Sequence, residues 1–136
     1  MKRKLIIDCD PGQDDCINLF LALPHTDQYD ILGITVVAGN VSLEKVSRNA
    51  RMICEMANRF DIPVYEGCDS PFEVPLVTAE EVHSDEGLEG IEIFEPEIKA
   101  QDKHAVDFII DTLMSSGSRE ITLIPTGPLT NIASAI

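Results

Sequence analysis

Leu5-Ile6-Ile7-Asp8-Cys9-Asp10-Pro11-Gly12-Gln13-Asp14-Asp15 is the stretch on which the reading of this sequence turns. An apolar run gives way to a Pro-Gly pair and then to two acidic residues, the order expected of a buried strand, a tight turn and a helix start. Four carboxylates fall between Asp8 and Asp15 with no Lys or Arg among them. Such a cluster repels itself. A helix N-terminus favours a nearby anion by only about 0.3–1 kcal/mol, too little to offset four charges. A hard divalent cation held by several oxygens supplies much more, and a site of carboxylates points to calcium or magnesium rather than zinc. Were Asp14 simply the helix cap, with Asp8 and Asp10 solvated at a strand end, one carboxylate would be explained and the set would not.

Outward from this stretch the chain alternates. Lys4 to Cys9 reads as a central strand, apolar on both faces as in parallel sheets covered by helices. A helix from about Asp14 carries Ile17, Phe20, Leu21 and Leu23 on its buried side and stops at Pro24. Ile31 to Ala38 is a second buried strand ending at Gly39-Asn40. Ser42 is the expected cap of a long helix with Val46, Ala50, Ile53 and Ala57 inward, and Pro63-Val64-Tyr65 is a short third strand. From residue 67 to about 100 the periodicity fades, and between Tyr65 and Ile98 there is no Lys or Arg; segments this long in compact domains are functional lids or disordered. Asp102 is the expected cap of a helix with Val106, Ile109, Ile110 and Leu113 inward. Ile121 to Ile124 forms the last strand, followed by Pro125-Thr126-Gly127-Pro128 and a helix from Leu129.

This order predicts an α/β fold: an open, mainly parallel, Rossmann-like sheet with right-handed crossovers and helices on both faces. Ligands of such sheets sit beyond the carboxyl ends of the strands. Asp10, Asn40 and Thr126 each follow a strand and are expected to meet at that edge. Asp10 and Asp15 are the first choice of metal ligands; Thr126, between Pro125 and Gly127, is either a third donor through its main-chain oxygen or an ordinary turn residue.

The 136 residues carry 24 acidic against 10 basic side chains, a formal net charge of −14. A surface that negative argues against nucleic acid or an anionic membrane as partner and suits a cation or a small neutral substrate. At 44% hydrophobic residues the composition is that of a globular domain. Cys9, Cys16, Cys54 and Cys68 form no C-x-x-C pair, and free thiols in a reducing cytoplasm are expected. The apolar run behind the basic start ends at Asp8, too short for a signal peptide or membrane span.

The octet Asp8 to Asp15, with Asn40 and the run Gly127-Pro128-Leu129-Thr130-Asn131, resembles the nucleoside hydrolases that prefer inosine and uridine. Their N-terminal signature, Asp-x-Asp-Pro-Gly-x-Asp-Asp after a buried strand, is matched at every fixed position. The resemblance implies hydrolysis of the N-glycosidic bond of a ribonucleoside to free base and ribose, with calcium as cofactor bound by Asp10, Asp15 and the Thr126 carbonyl. It further implies Asp10 as general base, Asp14 and Asn40 as ribose-binding residues and His83 near the base, with Asp8 left in a supporting role. The chain departs from the family's His-Gly pattern at His83-Ser84-Asp85-Glu86-Gly87-Leu88, which bears on base preference; Thr112, Leu113 and Gly87-Leu88-Glu89-Gly90 lean toward the pyrimidine-preferring members. The match covers the whole chain but only the N-terminal half of a typical member, so residues 1–136 are expected to be a truncated portion of one domain. The segment 67–100 is its expected lid and a cytoplasmic homo-oligomer its expected state.

Two other readings stay open. A phosphatase of the haloacid dehalogenase type also places Asp-x-Asp after a buried strand, but Pro11-Gly12 and the absence of a Lys after the last strand speak against it. The other is a non-catalytic fragment that associates with copies of itself through exposed apolar surface.

Overall fold

Leu5, Ile6, Ile7 and Cys9 are all buried, so the strand they form, β1 (Arg3–Cys9), is covered on both faces. The computed structural model describes residues 2–136. In it β1 lies between β2 (Tyr29–Val36) and β4 (Ile121–Pro125), both parallel to it, with Ile7 opposite Ile34 and Ile124. The short β3 (Val64–Glu66) pairs in parallel with β2, giving the order β3-β2-β1-β4.

The period of two along β1 divides the core. Leu5, Ile7 and Cys9 pack with Leu19 and Leu23 around α1 (Gln13–Ala22) and with Val46, Ala50 and Ile53 of α2 (Leu43–Met56). Ile6 packs on the other side with Phe108 and Ile109 of α4 (Ala105–Met114), flanked by Leu123 and by Ile132 of α5 (Thr130–Ala135). Helices therefore cover both faces, as the alternation of elements predicts. The chain runs outward from β1 through β2 to β3, then returns to the far side of β1 as β4. The reversal between β1 and β4 makes the carboxyl ends of those two strands the crevice of the sheet.

Close packing selects particular residues. The rings of Tyr65 and Phe108 stack with centroids 3.9 Å apart. A Cβ at Gly33 on β2 would sit 2.9 Å from both, so glycine there makes room for the stack.

Several elements differ in detail from expectation. On α1 the inward stripe is Asp15, Leu19 and Leu23 with Phe20 beside it, whereas Ile17 and Leu21 are 63% and 64% exposed. Asp15, Leu19 and Leu23 recur every four residues on one face, and that face is turned inward with the Asp15 carboxylate accepting the Asp10 N–H; Ile17 and Leu21 lie on another face of the helix. Ser42 occupies the N-cap of α2 but its side chain makes no capping bond. The cap of α4 is His104, not Asp102; its Nδ1 accepts the Val106 N–H at 3.2 Å. On that helix Phe108 takes an inward place and Leu113 is exposed.

Residues 67–100 are largely irregular, with one short helix, α3 (Glu80–His83). The segment is tied to α2 by polar side chains. Arg51, 8% exposed, reaches Glu95 and the Ile98 carbonyl, both at 3.1 Å. Arg48 pairs with Glu86 at 2.6 Å, and buried Asn49 donates to the carbonyls of Glu86 and Pro11 at 2.8 and 3.1 Å. All four cysteines are free thiols. Among the described residues no helix is long and apolar enough to cross a membrane.

Candidate active site

Strand β1 delivers Asp10 to the crevice, and the Pro11-Gly12 turn folds the start of α1 back over it. Both Asp10 and Asp15 are buried, at 6% and 4% exposure. The Asp10 N–H donates to Asp15 Oδ2 at 3.0 Å, so the second carboxylate is fixed by the backbone of the first. From the end of β2 comes Asn40, whose backbone N–H donates to Asp10 Oδ2 at 2.8 Å and whose Nδ2 donates to the Asp10 carbonyl at 2.9 Å. Two glycines form walls around the Asp10 carboxylate. A Cβ at Gly39 would lie 2.2 Å from Oδ2 and one at Gly127 2.8 Å from Oδ1; only hydrogen atoms fit on those sides.

The turn after β4 is hung from β1 as well. The Thr126 N–H and Oγ1 both donate to the Asp8 carbonyl, at 2.8 and 3.3 Å, which brings Gly127 against Asp10. His83, half-buried at the end of α3, accepts the Gln13 N–H on Nδ1 at 3.3 Å. A Cβ at Gly12 would come within 2.6 Å of His83 Nδ1 and 2.8 Å of Asn40 Nδ2, so the imidazole and the amide both rest on that glycine. Asp14 stands exposed on the first turn of α1. The geometry thus gathers Asp10, Asp15, Asn40 and His83 around one turn, with Asp14 at its rim and Thr126 on the adjoining one.

The electrostatics are those of an uncompensated anionic pocket. Burial pushes Asp10 up from its ordinary value to about 7; the Asn40 N–H opposes this, and the charges of Asp15 and Asp14 reinforce it. Burial also raises Asp8, against the hydrogen bonds from Asn131 and Thr35. Among the described residues the ion pairs involve none of Asp8, Asp10, Asp14 and Asp15. Among the described residues no three His, Cys, Asp or Glu side chains converge on a point; Asp10 and Asp15 stand as a pair. Two buried carboxylates with no basic partner match a hard cation in charge and donor type.

Sequence reasoning missed three polar residues that hold this arrangement. Thr35 donates to Asp8 Oδ1 at 2.6 Å. Asn49 bridges the Pro11 carbonyl to the segment that follows His83; α2 buries Ser47 and Arg51 as well, so a polar residue there did not by itself single it out. Asn131, fully buried, belongs to the Gly127 to Asn131 run that carried the resemblance, but nothing in the spacing assigned it a contact.

The family model described as inosine-uridine preferring nucleoside hydrolase matches residues 5–136. The chain belongs to that family. It is 46% identical over 136 residues to the pyrimidine-specific ribonucleoside hydrolase RihB of Escherichia coli O157:H7 and, to the same degree, to RihB of Escherichia fergusonii. In each case 99% of this chain and 42% of the relative are covered. Among solved structures, the plant nucleoside hydrolase PpNRh1 superposes with a TM-score of 0.90 at 36% identity, covering 99% of this chain and 42% of that one. The purine-preferring ribonucleoside hydrolase from Gardnerella vaginalis gives 0.88 at 36% identity, covering 97% and 42%. The chain therefore spans about 42% of the length of these relatives. Family membership sets the phosphatase reading aside.

Proposed function

We propose that this chain supplies the sugar-binding and water-activating side of a calcium-dependent ribonucleoside hydrolase that leans toward pyrimidine nucleosides. The observation that carries the proposal is the Asp10 carboxylate, buried between two glycines, oriented by the Asn40 N–H and next to Asp15, with no basic side chain to neutralise either acid. The base preference follows from the relative at 46% identity, whose name is pyrimidine-specific.

In the proposed reaction the bond from ribose C1′ to the base nitrogen breaks and its electron pair leaves with the base. Positive charge grows on the sugar, and water forms the new bond to C1′. Asp10 takes the proton of that water, the role for which a buried carboxylate held by a single N–H on one oxygen is suited. Asp10 and Asp15, with the main-chain oxygen of Thr126, would hold calcium. When bound, the cation orients the ribose diol and lowers the pKa of a water. Asn40 gives its backbone N–H and one Nδ2–H to Asp10 and keeps Oδ1 to accept from a ribose hydroxyl; Asp14 accepts from another at the rim. Because Nδ1 of His83 accepts from Gln13, its proton resides on Nε2, which faces the base as a donor. Calcium takes roughly six to eight oxygens, more than these three residues provide, so the weakest activity is expected where this chain acts unaided. Four free thiols favour a reducing compartment, and the exposed Ile17 and Leu21 favour self-association.

The test is calorimetric titration of this chain with calcium, combined with release of uracil and reducing sugar from uridine. Calcium uptake abolished by Asp10→Ala, with chelator-sensitive cleavage of uridine ahead of inosine, is expected. Unchanged calcium uptake in Asp10→Ala, or cleavage indifferent to chelator, refutes the proposal.

A further inference from the structure

Asn131, on the first turn of α5, commits its whole side-chain amide to the ends of three other elements. Nδ2 donates to Asp8 Oδ1 at 2.8 Å and to the Val36 carbonyl at 3.1 Å, while Oδ1 accepts the Cys68 N–H at 2.8 Å. These partners end β1 and β2 and begin the segment after β3. The helix α5 has six residues, too few to hold its own place in water, and it follows directly on the turn that carries Thr126 and Gly127. The same Asp8 whose carboxylate receives Asn131 receives Thr126 on its main-chain oxygen. We propose that Asn131 is the positioning residue that sets the Thr126–Gly127 turn against Asp10, and so fixes the spacing of the oxygens on which the calcium reading rests.

A second observation concerns the backbone just before Cys68. A Cβ at Gly67 would lie 2.2 Å from Asn131 Oδ1 and 2.5 Å from Nδ2, so the neighbouring backbone is shaped to this one amide. Asp8 Oδ1 accepts from both Thr35 and Asn131, while its Oδ2 is buried without a partner, so Asn131 is one of only two groups that hold this carboxylate. The geometry is that of a single pin through three strand ends. Outer-shell partners of this kind govern metal affinity without touching the metal.

The experiment compares Asn131→Ala, Gly67→Ala, the double variant and Ile31→Val, a core substitution at the amino end of β2 in the cluster on the other face of the sheet from α5, each in this chain. Amide hydrogen exchange at Thr126, relative to the amides of β1, reads the position of the turn directly. Calorimetric titration with calcium chloride reads the pocket. Asn131→Ala and Gly67→Ala are each expected to speed Thr126 exchange about tenfold and weaken calcium binding about tenfold or more. The double variant should go no further than either single one, since both break the same contact. Ile31→Val should leave both readouts at wild-type values. Gly67→Ala, which crowds Asn131 without removing it, decides the matter where Asn131→Ala fails to fold. Selective Thr126 exchange without any calcium uptake by wild type keeps the positioning role and overturns the calcium reading. Unchanged Thr126 exchange in both single variants, or equal acceleration in Ile31→Val, overturns the positioning role.

Discussion

Replacing Asp10 by Asn should stabilise the metal-free protein, and by an amount that depends on pH. The wild-type carboxyl is raised to about 7 in the fold from an ordinary value near 4. Its protonated form is therefore favoured by folding: the contribution is fully present below the unfolded value and is lost as pH rises through about 7. From pH 5 to pH 8 the loss is about 2.5 kcal/mol, close to 1.4 kcal/mol per pH unit up to pH 6 and falling away through about 7. An asparagine side chain at this position does not titrate, and its Oδ1 still accepts the Asn40 N–H. Urea unfolding in chelator at pH 5, 6, 7 and 8 should show the Asp10→Asn variant gaining on wild type by about 2.5 kcal/mol across the series, which for a domain of this size is a melting difference of about 10 °C. Calcium at a thousand times its Kd at pH 8 should reverse the order, since a ligand at that excess stabilises the binding form by about 4.1 kcal/mol. A gap between the two proteins that is the same at pH 5 and pH 8 would refute the argument that Asp10 is a buried, uncompensated acid.

Three further substitutions follow from the packing. Gly39→Ala places a methyl group 2.2 Å from Asp10 Oδ2 and under 3 Å from the Pro128 ring; calcium affinity measured by calorimetry should fall more than about tenfold, while α-helical circular dichroism is kept. His83→Ala removes one exposed hydrogen bond, so stability should change by less than about 1 kcal/mol, whereas kcat for uridine should drop about a hundredfold if Nε2 assists the leaving base. Gly33→Ala drives a Cβ into the stacked Tyr65 and Phe108 rings and should cost about 1–3 kcal/mol in urea unfolding, with calcium affinity unaltered.

What the sequence disclosed and what it withheld divide along physical lines. Apolar runs at Leu5 to Ile7, Ile31 to Ala38 and Ile121 to Ile124 announced parallel strands because both faces of such strands are buried, and the Pro-Gly turn marked where β1 ends. The meeting of Asp10 with Asn40 followed from the rule that strand ends share an edge. The phase of α1 did not follow, since two apolar stripes compete on it: Leu19 and Leu23, on the face of Asp15 whose carboxylate accepts the Asp10 N–H, are buried, and Ile17 and Leu21 are left exposed. The cap of α4 went to His104 rather than Asp102, a choice between two competent side chains made by where the chain leaves residue 101, which bridges to Tyr65. Asn49 and Asn131 were invisible as contacts because an amide advertises neither its distance nor its partner; only the assembled fold brings Asp8 to Asn131.

The hydrogen bond from Thr126 to Asp8 spans 118 residues. On a ribosome adding about 5–20 residues per second, the acidic octet would emerge and wait roughly 6–24 s before the turn that closes over it exists. For that interval the carboxylates stay hydrated and unconfined. The buried, mutually repelling arrangement of Asp8, Asp10 and Asp15 forms only once β4 pairs with β1, so its electrostatic cost falls in one late step of folding rather than by degrees.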